Sequence, residues 1–597
     1  MGTVSNLLDM LGVIRKSLQL KPLPAETKLS LGLMVEQQAK SSADRVMVVF
    51  EGKSITWGEF NRLANQIAHY LKTQGVRKGD VVSLLMDNRI ENLACITALC
   101  KLGAVAAMIN TSLTGKPLHH CISSVASKKV IVGQELLAAL HGIKDDLAMT
   151  SDDIYWVADE VGAESVEAPG WAQPLKVGQE SIENLPETGE IALGDLAYYI
   201  FTSGTTGLPK ASRITHDRHY RMSLGFSSIL LDMKPDDRIY ACLPLYHSSG
   251  MFICFGSIIQ SGGSMFLRRK FSASNLLREA RENNTNCFAY IGELCRYLLH
   301  QPVLEDDADN PIHKCVGNGL RPDIWMEFKA RFGIDRIGEF YGASEGNAGC
   351  VNAFNRDFTV GFCAVKHALV EYDVLNDELV RNKKGFCRKV KKGEPGLMLM
   401  EISDKAAFDG YADKQATDKK VLVNVFKQGD RYFNTGDLLK QVDVGFALGL
   451  PHYQFVDRVG DTYRWKGENV STNEIGEIIN GADSVAYCNV YGVQLPGTDG
   501  RAGMVGISAH NGKLDLQAIS QHILEKVPSY ARPLFIRQVM DMDTTGTFKM
   551  KKGDLREQAY HLQKCDDPLF VLKPGGHEYV PLEQEFYTEI MSGNAGY

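Results

Sequence analysis

The segment Tyr198-Tyr199-Ile200-Phe201-Thr202-Ser203-Gly204-Thr205-Thr206-Gly207-Leu208-Pro209-Lys210 has the residue types to hold a polyphosphate. Its apolar start reads as a strand that runs directly into hydroxyls and glycines. Glycine lets backbone N–H groups approach an anion closely. Ser203, Thr205 and Thr206 add hydroxyl donors, and Lys210 adds a positive charge. The loop is not a Walker A motif, because the G-x-x-x-x-G-K-[ST] spacing is missing. A surface turn is the plainer alternative. A long hydroxyl–glycine run fixed to a buried strand, however, has little packing purpose.

Further segments carry groups that could complete a site. Leu243-Pro244-Leu245-Tyr246-His247-Ser248-Ser249-Gly250 contains His247, which taken alone would more often be structural. Small residues follow at Gly250, Gly256 and Ser257; they suit either an acyl chain or tight helix packing. Gly317-Asn318-Gly319 is by itself a turn signal. Tyr341-Gly342-Ala343-Ser344-Glu345-Gly346 joins an aromatic ring to a carboxylate. Mg²⁺ takes hard oxygen ligands, few of them from protein when phosphate is present. Glu345 with help from Thr205 fits that need; a solvated loop carboxylate is the alternative.

In this order, over roughly residues 45–560, the segments resemble the signatures of the adenylate-forming superfamily of acyl-CoA synthetases, luciferases and adenylation domains of peptide synthetases. The resemblance implies that Thr202, Ser203, Gly204, Thr205, Thr206, Gly207 and Lys210 hold the phosphates of ATP. His247 is implied near the carboxylate and acyl pocket. Gly317, Asn318 and Gly319 are implied against adenine, with Tyr341 stacked on it and Gly342 and Ala343 alongside. Ser344 is implied at the α-phosphate or carboxylate, and Glu345 and Thr205 at Mg²⁺. Tyr432-Phe433-Asn434-Thr435-Gly436-Asp437 matches the signature whose aspartate binds ribose, and a carboxylate accepting two hydroxyls is a good diol clamp. Arg458 resembles the arginine that shares this contact. Asp457 stands where glycine is usual, and Phe446 to Pro451 reads as an insertion.

The family's hinge falls at Val459-Gly460-Asp461, where Gly460 offers backbone freedom. Lys466 and Gly467 are implied near coenzyme A. In Thr544-Thr545-Gly546-Thr547-Phe548-Lys549-Met550, Lys549 is implied to bridge the substrate carboxylate and the α-phosphate; without the pattern it would read, with Lys551 and Lys552, as a solvated lysine. Lys549, Glu345, Thr205 and His247 are thus the expected catalytic set. The expected reaction is attack of a carboxylate on the α-phosphate of ATP, giving acyl-AMP and pyrophosphate, then thioester formation with coenzyme A. Asp457 to Thr472 and Thr545 to Lys549 look most like the fatty acid transport protein and very-long-chain acyl-CoA synthetase branch, which implies long-chain substrates and membrane association. A fatty acyl-AMP ligase that loads a carrier protein and a lipid-uptake protein without catalysis are the alternatives.

These residues need a scaffold. From Val46 to about Leu450 apolar strands alternate with helical patterns, such as Val46 to Phe50, Trp57 to Gly75, Val81 to Met86 and Glu91 to Leu102. Such alternation predicts α/β layers with a largely parallel sheet. Near Asp457 the texture turns polar, and Ala486 to Gly492, Met504 to Ala509 and Leu516 to Val527 suggest a smaller unit. The expected fold is α/β: a large multi-layer N-terminal adenylation domain with mixed sheets, residues 1–459, and a small mobile α+β C-terminal domain, residues 460–597. At residues 3–20, Leu7, Leu8, Leu11, Ile14 and Leu18 share helical spacing. Such a helix could lie on a membrane or pack on the main domain. Arg381, Lys383, Lys384, Arg388, Lys389, Lys391 and Lys392 form a basic stretch, either a solvated loop or a contact for anionic lipid.

Composition narrows the classes. A net charge of −7 gives no global footprint for nucleic acid. The 13 cysteines form no C-x-x-C pair, so reduced thiols are expected. No apolar run approaches the roughly 18 residues that would span a bilayer. No secretory pattern or myristoylation signal is seen at the start. The expectation is a cytoplasmic enzyme held peripherally at a membrane, with a homodimer left open.

Overall fold

The computed structural model describes residues 3–18, 22–159, 169–202, 208–373, 378–404, 406–465, 468–498, 500–510, 512–540 and 553–597. Its chain forms two compact units. The first comprises Met1–Leu320, Met326–Ala364 and Ile402–Val421; the second comprises Arg321–Trp325, Val365–Glu401 and Leu422–Tyr597.

The first unit contains two large sheets. In the seven-stranded sheet, Val81–Leu85, Val105–Met108 and Leu196–Thr202 lie side by side and parallel. Lys210–Thr215 closes the edge antiparallel. The nine-stranded sheet has a parallel centre that includes Cys287–Ile291, Lys314–Asn318 and Arg336–Gly342. The helices are regularly capped. Thr56 and Glu59 form a reciprocal capping box at the start of Trp57–Thr73, which satisfies backbone donors that the first turn leaves open. Ile90–Leu102 is apolar almost all round, is fully buried along most of its length and stops at Gly103 in the left-handed conformation.

The parallel alternation expected up to Leu450 ends earlier. In the second unit His367–Val370, Gly396–Glu401, Arg431–Val442 and His452–Arg458 build an antiparallel sheet. Antiparallel neighbours need no crossover helix, so the helical periodicity that marks the first unit is absent from these strands. Val370, Leu397, Leu399, Tyr432 and Leu438 form its core. Residues from Tyr463 onward close a separate core, in which Trp465, Ile475, Tyr491, Val505, Phe535, Tyr560 and Tyr587 take part. Both cores belong to the second unit, whose limits at Val365 and Leu422 differ from the boundary expected at 460. Strands Val485–Val493 and Ala502–Ala509 and helix Leu516–Lys526 form within two residues of their expected limits. The segment Phe446 to Pro451 is the connection of the hairpin between Arg431–Val442 and His452–Arg458, and Phe446 at its tip is 62% exposed.

The first helix, Thr3–Ser17, divides its apolar residues differently from the expected stripe. Met10 and Val13 are buried, whereas Leu11, Ile14 and Leu18 are 49%, 40% and 65% exposed. Lys16 pairs with Asp232 at 2.6 Å. No helix among the described residues is long and apolar enough to cross a membrane. All 13 cysteines are buried thiols.

Candidate active site

The strand Leu196–Thr202 delivers Thr202 to the mouth of the phosphate loop, where its register partner is Lys210 on the returning strand. Ser203, Gly204, Thr205, Thr206 and Gly207 lie outside the described residues. The Lys210 ammonium sits 5.9 Å above the ring of Tyr411, and the His120 imidazole is 3.1 Å from the Pro209 carbonyl oxygen. Tyr411 is one residue that sequence reading missed. It lies near Glu345 and Thr202, and burial together with the Glu345 charge holds its phenol above the ordinary range. The end of the strand that enters the loop and the expected metal carboxylate thus lie near one phenol.

Two buried side chains hold the neighbouring loops from behind. Arg218 stands in the first turn of helix His216–Leu224, whose cap Thr215 accepts the Arg218 N–H at 3.2 Å. Its guanidinium donates to the carbonyls of Ala343 and Glu345 at 3.3 Å and to that of Gly346 at 2.5 Å. A fixed fork of donors against three carbonyls of one loop sets that loop's shape. Burial lowers the guanidinium's pKa, and Asp409 and Glu345 oppose that shift. Asn88, 5% exposed, does the same for the histidine segment. Its amide donates to the Leu243 carbonyl at 3.0 Å, and its oxygen accepts the Leu245 N–H at 2.8 Å.

His247 lies 3.2 Å from the Ser249 hydroxyl through Nδ1. Ser248 and Ser344 hydroxyls meet at 3.0 Å, so the histidine segment and the Tyr341–Gly346 segment share one place. The small residues after His247 serve packing. A Cβ on Gly250 would sit 2.4 Å from the Pro244 carbonyl oxygen, and one on Gly256 would sit 1.9 Å from the Ser223 hydroxyl. Strand Lys314–Asn318 ends in Gly319 at φ +83°, which turns the chain sharply out of the sheet. Strand Arg336–Gly342 beside it carries Tyr341, almost wholly buried.

In the second unit Asp437 and Arg458 are register partners on adjacent strands, with Arg458 Nε 3.8 Å from Asp437 Oδ1. That spacing is a loose ion pair with a half-exposed arginine, so its worth lies in presenting groups to a ligand rather than in stability. Asp457, 1% exposed, faces inward instead. It accepts the Thr472 N–H at 2.6 Å and the Thr472 hydroxyl at 2.9 Å, and so holds the first turn of helix Thr472–Asn480, whose cap is Ser471. Gly460 has open space around it and an ordinary backbone conformation. Asp461 is paired with Arg556 at 2.7 Å. Lys466, Gly467 and Lys549 lie outside the described residues.

Comparison with known proteins bears on this site. The family model described as AMP-binding enzyme matches residues 35–411. The medium/long-chain-fatty-acid–CoA ligase FadD6 of Mycobacterium tuberculosis is 39% identical over 568 residues, covering 95% of this chain and 92% of that protein. Long-chain fatty acid transport protein 6 of Mus musculus is 38% identical, covering 92% of this chain and 88% of that one. Among solved structures, the anthranilate CoA ligase AuaEII with anthranoyl-AMP aligns at TM-score 0.72 and 22% identity, over 90% of this chain and 98% of that chain. ATP-bound MatB from Rhodopseudomonas palustris aligns at TM-score 0.72 and 20% identity, over 90% and 100%.

Proposed function

The chain belongs to the AMP-binding enzyme family, and from that premise we propose that it is an AMP-forming fatty acid–CoA ligase acting on medium- to very-long-chain acids. The observation that carries the reading is the meeting of Thr202, Tyr411 and Glu345 where the phosphate loop leaves its strand. The likeness to FadD6 and to a long-chain fatty acid transport protein over most of their lengths supports the substrate class.

A carboxylate is a poor electrophile and must be activated before a thiol can take its acyl group. The loop from Thr202 to Lys210 grips the triphosphate and leaves the α-phosphate open to the acid. Tyr341 and the turn Gly317–Gly319 receive the base; Asp437 and Arg458 receive the ribose. The bound acid meets the α-phosphate in line, so positioning and charge stabilisation do the catalysis and no covalent enzyme intermediate is needed. Glu345 fits Mg²⁺: its carboxylate lies near Tyr411, as Thr202 at the end of the strand does, and the ion takes few protein ligands when phosphate and water supply the rest. When bound, the ion neutralises charge on the departing pyrophosphate. Lys549 brings an ammonium to the same centre during adenylation, and the piece beyond residue 460 then turns to admit coenzyme A at Lys466 and Gly467. The separate core of that piece supports such a movement.

The exposed Leu11, Ile14 and Leu18, one turn apart on the first helix beside exposed Arg15, support peripheral contact with a membrane surface. The basic stretch Arg381 to Lys392, exposed at Lys383, Lys384, Lys391 and Lys392, supports the same contact with anionic lipid. Sedimentation with anionic vesicles, lost in a Leu11→Gln, Ile14→Gln variant, tests it. The function is tested by ATP–pyrophosphate exchange against acids of increasing length, then by AMP release with coenzyme A. Exchange without any use of coenzyme A would point to carrier loading instead, and no exchange with any acid would refute the proposal.

A further inference from the structure

Strand Arg336–Gly342 carries a carboxylate in the middle of the sheet. Glu339 is 2% exposed and lies two residues before Tyr341, so both side chains leave the strand on one face. A buried carboxylate is costly unless it is well partnered. Here the partners belong to the turn expected to meet adenine. Glu339 Oε1 accepts the N–H of Gly319 at 2.5 Å and that of Leu320 at 3.1 Å. The Tyr290 hydroxyl donates to Oε2. The turn is closed on its other side too. A Cβ on Gly317 would sit 2.2 Å from the Tyr290 carbonyl oxygen, and one on Gly292 would sit 1.7 Å from the Gly319 carbonyl oxygen. The backbone of Gly317–Leu320 is thus pressed between the Tyr290–Gly292 segment and a carboxyl group that holds two of its N–H groups.

We propose that Glu339 is a positioning residue for the nucleotide: it fixes the Gly317–Gly319 turn at the height where Tyr341, from the same strand, stacks on the base. The proposal rests on the functional reading above, because that reading brings adenine to this turn. Glu339 touches no substrate and acts through the turn.

Burial pushes the Glu339 carboxyl up to about 8, against the pull of the Tyr290 hydroxyl and the Leu320 and Gly319 N–H groups. The titratable groups that face it are Tyr290 on strand Cys287–Ile291 and Cys295 on helix Gly292–Leu299, with Cys315 of strand Lys314–Asn318 beside them. Burial holds all three well above their ordinary values, so they stay neutral where Glu339 titrates. Above its pKa the ionised carboxylate accepts the two N–H groups more strongly.

The test is calorimetric titration of the full chain with AMP, with no acid present, across pH 6.5 to 9, together with KM for ATP and for fatty acid in pyrophosphate exchange. Glu339→Ala orphans two buried N–H groups; the expected result is AMP binding weakened by about tenfold or more, with KM for ATP raised to match and KM for fatty acid unmoved. Glu339→Gln keeps an acceptor for both N–H groups and is expected to bind AMP within about threefold of wild type at pH 6.5. It should lose the tightening expected of wild type as pH passes 8. If Glu339→Ala does not fold, this pH comparison decides. Unchanged AMP affinity in a folded Glu339→Ala protein, or the same pH response in wild type and Glu339→Gln, would overturn the proposal. A wild-type protein that binds AMP but exchanges no pyrophosphate would instead refute the ligase reading and leave this test standing.

Discussion

Replacing Asp457 by Ala should release helix Thr472–Asn480 from strand His452–Arg458. The carboxylate, 1% exposed, accepts the Thr472 N–H and hydroxyl on one oxygen and the Arg458 N–H at 2.8 Å on the other. Hydrogen bonds to a charged group contribute about 1.5–3 kcal/mol each, and they are not additive within one network. A negative charge at a helix N-terminus adds about 0.3–1 kcal/mol. The combined cost of Asp457→Ala is then about 3 kcal/mol, with Asp457→Asn retaining roughly half because its carbonyl oxygen still accepts. At about 1.4 kcal/mol per decade, amide protection over residues 471–480 should fall by about two decades. Hydrogen exchange followed by mass spectrometry reads this directly. Asp457 and Thr472 also lie on opposite sides of the expected hinge, so the variant should change the ratio of adenylation to thioester formation. Protection in the helix that matches wild type, with both half-reactions also at wild-type rates, would refute the reasoning.

Arg218→Met removes the donors that hold Ala343, Glu345 and Gly346, and pyrophosphate exchange should fall by roughly a hundredfold while KM for fatty acid changes little. Tyr411→Phe removes the hydroxyl beside Thr202 and Glu345; the Mg²⁺ concentration for half-maximal exchange should rise severalfold, measured by Mg²⁺ titration. Lys549→Ala should slow exchange by about two to three decades while thioester formation from supplied acyl-adenylate continues. For Glu339 the folded pKa is raised from 4.5 to about 8, so the unfolded chain binds fewer protons between those values. Stability relative to Glu339→Gln should therefore decline as pH rises from 4.5 to 8 and level off above it, as thermal unfolding across that range would show.

Much of the first unit could be read from the chain because its strands are apolar runs separated by helices with clear caps. Trp57–Thr73 and Ile90–Leu102 fall where the periodicity puts them. The loops bearing His247, Tyr341 and Glu345 were legible because their residue types are dense and local. The groups that shape those loops were not. Arg218 acts on carbonyls more than a hundred positions away, and Asn88 meets the histidine segment across an even longer gap. A single arginine or asparagine in an otherwise ordinary stretch carries no local sign of such a task. Tyr411 was silent for the same reason. Glu339 did leave a trace, a carboxylate inside an apolar strand, which should prompt a search for its partners. The antiparallel sheet after Val365 was missed because its strands need no helices between them and give only a weak two-residue rhythm.

The interior thiols have a practical consequence. Cys95, Cys100, Cys121, Cys254 and Cys287 are each pushed up to about 12 by burial, and the other eight of the 13 are shielded too. Maleimides and spin labels react with accessible thiolate, so the folded native chain should give almost no background. One cysteine added on the outer surface at each side of residue 460 would make a clean donor–acceptor pair. Distance changes on adding ATP, acid and coenzyme A in turn could then be followed without first stripping the natural cysteines out.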